Sequence, residues 1–286
     1  MALDQVNVDD WESNEAPNAN DSEMSFFDHI EALRWHIIRS LIVLFIAFVV
    51  VFIFKDFVFG QIVFGPVRPD FITFKILCGF SDAMCFSPPK IDLTGGSFIN
   101  TSPSDAFMTH MSISFWISLA ITVPYMIWEV WRFISPGLFP TEQKAAGNIV
   151  IIGGFLFLIG VLFGYFVVAP LALTFLTNYE IHSLVKNAFR ISDYIDLLVM
   201  MTIPLGFVFE LPMVMFFLTK LGIISPMFLR VYRRYAVVIL MIIAAIVTPS
   251  PDAASMLLVF APLYALYEIS ILVSQREYKR QLAKAE

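Results

Sequence analysis

The twenty residues from Trp35 to Phe54, WHIIRSLIVLFIAFVVVFIF, hold one full charge, Arg39, and four further blocks of similar character follow. A helix needs about 20 apolar residues to cross roughly 30 Å of hydrocarbon, so a chain built from such blocks is made for a bilayer. Composition agrees. Of 286 residues, 58% are hydrophobic and 15% charged, where soluble domains carry about a quarter charged. The expected fold class is an all-α polytopic membrane protein.

The first span is expected from Trp35 to Phe54, with Arg39 close enough to the edge to snorkel. The second runs from Ala106 to Trp131 and carries Pro124, which predicts a kink. The third, Ile149 to Ala169, holds Gly153, Gly154, Gly160 and Gly164, small enough to admit a neighbouring helix. The fourth, Tyr194 to Thr219, contains Pro204, Glu210 and Pro212. The fifth, Tyr235 to Val247, covers only about 20 Å at 1.5 Å per residue. "TPSPD" separates it from the sixth, Ala253 to Val273, which contains Pro262 and Glu268. Reading Tyr235 to Val273 as one bent crossing fails on charge: Arg230, Arg233 and Arg234 on one flank and Arg276, Lys279 and Arg280 on the other belong on the same side. Six spans with both termini cytoplasmic then place about twice as many basic residues inside as outside.

The domain pattern is simple. Residues 1–24 form an acidic head without lysine or arginine, read as a disordered cytoplasmic tail. It has neither the basic start nor the apolar stretch of a signal peptide, so the first span is expected to stay as an uncleaved anchor. Residues 25–275 form the transmembrane domain and 276–286 a basic cytoplasmic tail. Cys78 and Cys85 share one loop with six residues between them; a local disulfide and two free thiols both remain open.

No phosphate-cradling glycine loop, HExxH or GxSxG pattern occurs, and the four histidines are scattered. No enzyme, metal site or cofactor is expected; function must come from shape, intramembrane polar groups and recognition at the faces. In "SFFDHIEALR", Ser25 and Asp28 fit a capping box, and Glu31 can pair with Arg34 three residues on. Glu142, just after Pro140, suits a helix N-terminus electrostatically. Asp28, Glu31 and Glu142 could equally line one surface that accepts cations, arginine above all, because its planar fork pairs a carboxylate bidentately. Glu210 sits inside a span, where a charge is costly and marks a functional position by default. The bland alternative is a glutamate that merely organises packing. Glu268 raises the same question closer to an edge.

Taken together, "HIEALR", "VPYMIWEVWRFISPGLFPTEQK", "FGYFVVAPLALTFL", "GFVFELP" and "TPSPD" resemble the TatC family, the multispanning receptors of twin-arginine protein translocases, over about Ser25 to Ser274. That resemblance implies a concave, glove-like bundle with short fifth and sixth helices. It also implies a non-enzymatic receptor that binds twin-arginine signal peptides and exports folded proteins on the proton-motive force, in the bacterial cytoplasmic membrane. The family's loop glutamate falls on Glu142, with Phe133 and Pro124 at neighbouring family positions. Its membrane glutamate falls on Glu210, beside Pro212, where TatA- and TatB-like single-span subunits would dock. Pro66, Asp252 and Arg34 occupy other matched positions. Self-association in the complex is implied, and no nucleic acid.

Two departures stand out. The second glutamate of the family's N-terminal motif is Ala32 here, so Asp28 or Glu31 is expected to supply the missing carboxylate. Met256 stands where the family often has glutamine. Two other functions compete: a proton-coupled small-solute transporter using Glu210, and a structural scaffold indifferent to alanine at Glu142 and Glu210.

Overall fold

The computed structural model describes residues 26–80, 98–135, 140–179, 182, 188–248 and 253–285. The first long helix is α1 (Phe26–Ile53), followed by a single turn α2 (Lys55–Phe57), a π-turn over Val58–Val63, a 3-10 turn over Gly65–Val67 and α3 (Ile72–Phe80). After strand β1 (Phe98–Ile99) come α4 (Pro103–Ile134), α5 (Pro140–Phe163), a π-turn over Gly164–Val168 and α6 (Ala169–Asn178). Strand β2 (Phe189–Arg190) precedes α7 (Ile191–Phe209), α8 (Leu211–Lys220), α9 (Pro226–Val231), α10 (Arg233–Val247) and α11 (Ala253–Ala285).

Among the described residues five segments are long and apolar enough to cross a membrane: Leu33–Ile53, Pro103–Ile134, Val150–Asn178, Ile191–Lys220 and Ser255–Arg280. They are the first, second, third, fourth and sixth expected spans. The fifth, α10, has 15 residues, short of that length as its sequence foretold. The sixth is not short. At 33 residues, α11 carries the helix through the basic segment expected to be a separate tail, because Arg276, Lys279 and Arg280 are good helix formers and no breaker intervenes. The acidic head, Cys85 and Asp252 lie outside the described residues, as does the side chain of Cys78, so neither reading of the cysteines is tested.

Helix α4 runs antiparallel to α1. His36, early in α1, meets Glu129, late in α4, while Phe52 stacks on His110 at the opposite ends with ring centroids 4.0 Å apart. The end holding the start of α1 and the finish of α4 is here the near end. Helix α5 begins there, since only residues 135–139 separate it from α4. Strand β2 pairs with β1 at the end where α4 starts, so α7 and α8 run back from there and Arg233, at the start of α10, lies at the near end, 2.8 Å from Glu268 of α11.

The glycines of α5 and of the π-turn after it act as the sequence suggests. A β-carbon on Gly160 would stand 2.8 Å from the Leu205 carbonyl oxygen, and one on Gly164 2.5 Å from that of Met201. Backbone therefore meets backbone, and α5 packs tightly on α7. Gly154 lies against Pro124 of α4 in the same way. An apolar hollow of about 250 Å³ opens between α4, α5 and α7, lined by Ile113, Ile117, Leu158, Val161, Leu198 and Thr202.

At the far end, the turns after α2 are stitched to the bundle. Tyr165 donates to the Ile62 carbonyl at 2.7 Å, and Tyr194 donates to that of Val63. Strands β1 and β2 pair in parallel, with Arg190 3.3 Å from Asp105. The buried hydroxyls of Thr219 and Ser274, 2.7 Å apart, join α8 to α11 without leaving a polar group to lipid.

Candidate functional site

Glu210 marks a break. It ends α7 and precedes α8, and its amide reaches back to Phe207, a tighter turn than an α-helix makes. Pro212 explains the break: it lacks the amide that would bond Val208, and it disfavours helix at the residue before it. The Glu210 side chain turns into the bundle beside Gly153 and is only 8% exposed, yet neither carboxylate oxygen has a hydrogen-bond partner among the described residues. Buried polar groups are nearly always paired, and an unpaired carboxylate is costly. Among the described residues no donor reaches it within hydrogen-bonding geometry, so it can take one from outside. Pro212 is buried at the start of α8, where its ring supports the bend.

A second carboxylate gathers partners at the near end. Glu129 is 1% exposed and is held by three side chains. His36 Nδ1 of α1 lies 2.5 Å from Oε2, the Tyr125 hydroxyl donates to Oε1 at 2.7 Å, and Arg132 Nη1 approaches Oε1 at 3.3 Å. Tyr125, Glu129, Arg132 and Phe133 are spaced four, three and four from Glu129, so they form one stripe of α4 facing α1. Phe133 continues the stripe with its ring edge-on to His36, 6.1 Å between centroids. Trp131, two residues from Glu129, turns the other way and packs on Phe217 of α8.

The sequence singled out Phe133 and Pro124 but not Glu129. An acid within "YMIWEVWRF", with tyrosine four residues before and arginine three after, was the available signal; the histidine that completes it lies 93 residues away.

The other expected residues divide by location. Helix α1 carries Asp28 and Glu31 in its first turns, and α5 carries Glu142 in its first turn, so all three belong to the near end. Glu31 is exposed. Among the described residues no ion pair joins it to Arg34, whose guanidinium lies 5.9 Å from the Trp35 ring centroid. That expected pairing is corrected: an exposed carboxylate gains little by holding a long side chain still. Pro124 is half-buried against Gly154. Pro66 sits at the far end, buried in the 3-10 turn. Glu268 takes the bland role, bonded to Arg233 and, at 2.7 Å, to the Tyr264 hydroxyl.

Comparison with known proteins gives one answer. The family model described as "TatC: Sec-independent protein translocase protein (TatC)" matches residues 28–262. A Sec-independent protein translocase protein TatC of Blattabacterium sp. subsp. Periplaneta americana is 35% identical over 260 residues, 88% of this chain and 96% of that protein. The TatCy protein of Bacillus subtilis is 33% identical over 259 residues, covering 91% and 92%. The crystal structure of the twin arginine translocase receptor TatC superposes with a TM-score of 0.64 at 30% identity, covering 87% of this chain and 99% of that one.

Proposed function

The chain belongs to the TatC family of Sec-independent protein translocase proteins, and from that membership we propose that it is the signal-peptide receptor of a bacterial inner-membrane translocase. As a multi-pass component of a transport system, it has a non-enzymatic role. The near end faces the cytoplasm, in keeping with the arginines gathered there. Asp28, Glu31 and Glu142, with Phe133 at the same end, accept the paired guanidinium groups of a twin-arginine signal peptide, while Pro124, deeper in α4 against Gly154, supports the helix that carries Phe133. Exposed pairs are individually weak, so several carboxylates act together and arginine is preferred to lysine. Folded precursors are exported at the expense of the proton-motive force.

The observation that carries this reading is the antiparallel docking of α1 on α4 through His36 and Glu129. It brings the first turns of α1, the end of α4 and the first turn of α5 to one end of the bundle. Glu210 serves the second half of the proposal. Its unpaired carboxylate suits a polar side chain on a single-span, TatA- or TatB-like subunit. An unpaired carboxylate would also suit a proton-coupled solute carrier, but membership in a translocase family does not favour that alternative.

Photocrosslinkers at positions 28, 31 and 142 test the receptor reading with a twin-arginine signal peptide. All three are expected to capture it, and Glu142→Ala to abolish capture while the protein still inserts. Normal capture by that variant would refute the role of Glu142.

A further inference from the structure

Asp28, Ala32 and His36 recur at intervals of four along α1, which sets these three positions on one stripe of the helix. The middle position carries no carboxylate. Glu129 approaches the same stripe from α4 and meets its third member, His36, at 2.5 Å. Position 32 lies one turn, about 6 Å, nearer the start of α1.

We propose that Glu129 is a further arginine-binding carboxylate, supplied by α4 in place of the acid that α1 lacks at Ala32, and that Arg132 occupies it until a signal-peptide guanidinium displaces it. The proposal rests on the receptor reading above and names an additional residue of that site.

The geometry is that of a guanidinium dock with a weak resident. Tyr125 takes one acceptor direction on Oε1 and His36 takes one on Oε2, so these two positioning residues hold the carboxylate without help. Arg132 adds one nitrogen at 3.3 Å, a long single contact rather than a paired fork. Its side chain is 49% exposed, against 17% for His36 and 1% for Glu129, so it lies at the surface of the bundle near the end of α4. An ion pair so exposed contributes little and is easily exchanged. Once Arg132 swings away, each oxygen keeps a free acceptor direction, the arrangement that a bidentate arginine fits and a lysine does not. Phe133, edge-on to His36, flanks the position.

The chain also has Arg39 within electrostatic reach of Tyr125. Arg132 and His36 contact the carboxylate itself, and Arg39 stands near its tyrosine partner, so Asp28, Glu31 and Glu142 supply further negative charge when the ligand arrives. Glu129 alone is not a dock; it is the buried floor of one.

The test uses the full-length chain in lipid nanodiscs and a fluorescent synthetic signal peptide with an Arg-Arg pair, compared with its Lys-Lys counterpart. Glu129→Gln is expected to weaken Arg-Arg binding about tenfold and to narrow the preference over Lys-Lys. Arg132→Gln is expected to tighten binding by about two- to fivefold. Combining the two should reproduce Glu129→Gln alone, because Arg132 acts only by occupying Glu129. Unchanged affinity and preference in Glu129→Gln overturns the proposal. So does an Arg132→Gln effect of equal size with and without Glu129, which would mark general charge repulsion. Should Glu129→Gln fail to insert, Arg132→Gln decides: tighter binding supports the exchange, and unchanged binding overturns it. Loss of binding in Glu142→Gln but not in Glu129→Gln sinks this proposal and spares the receptor reading; no loss in either variant sinks both.

Discussion

A β-carbon placed on Gly153 of α5 would stand 2.9 Å from Oε2 of Glu210 and would collide with the sulfur of Met213. The smallest residue of α5 thus faces the unpaired carboxylate at the break between α7 and α8. The glycine makes the space; proline makes the bend that fills it.

The glycines of α5 and of the π-turn that follows it should not be equally sensitive. Gly153 faces the ends of flexible side chains, whereas Gly164 faces the Met201 carbonyl and the Thr202 α-carbon at 2.5 and 2.8 Å. Backbone cannot step aside without moving α7. Gly164→Ala is therefore expected to cost about 1–3 kcal/mol, the range for overpacking, and Gly153→Ala less. Thermal unfolding in detergent measures both, and a reversed order would count against the packing described.

Glu210→Leu separates stability from assembly. Removing a buried carboxylate without a partner relieves a penalty of about 1–3 kcal/mol, so the isolated chain should melt no lower than wild type. Binding of a twin-arginine peptide should persist, while co-purification of single-span subunits should fall. A normal yield of those subunits would remove Glu210 from the partner interface.

The two tyrosines at the far end should rank by burial. Tyr194 is 5% exposed and donates to Val63, a residue with no exposure; Tyr165 donates to Ile62 from a less buried position. Losing either hydroxyl should cost about 1 kcal/mol, more for Tyr194→Phe because the carbonyl it abandons is cut off from water. Hydrogen exchange over residues 58–67 reports this directly. Equal protection in wild type and Tyr194→Phe would mean that the turn is held by something else.

Much of this architecture is legible in the chain because its causes are local. Five membrane-length helices follow from runs of apolar residues, the close approach of α5 from its glycines, and the break at Glu210 from Pro212. The shortness of α10 follows from counting residues between Tyr235 and "TPSPD". The end of α11 is set by something hydropathy does not report. Hydropathy reports where lipid stops, and a helix of lysine, arginine, glutamate and alanine continues past that boundary.

The partners of the carboxylates were not legible. Glu129, Glu210 and Glu268 look alike in sequence, each an acid among apolar residues. Helix packing gives the first a histidine, a tyrosine and an arginine, gives the third Arg233 and Tyr264, and leaves the second without a partner among the described residues. Sequence by itself determined that the chain must be helical in a bilayer, since hydrocarbon offers the backbone no other hydrogen-bond partners. Only tertiary structure decided which acid is satisfied and which is vacant, because a carboxylate is answered by whatever donor another helix brings within about 3 Å, and that donor can lie ninety residues away.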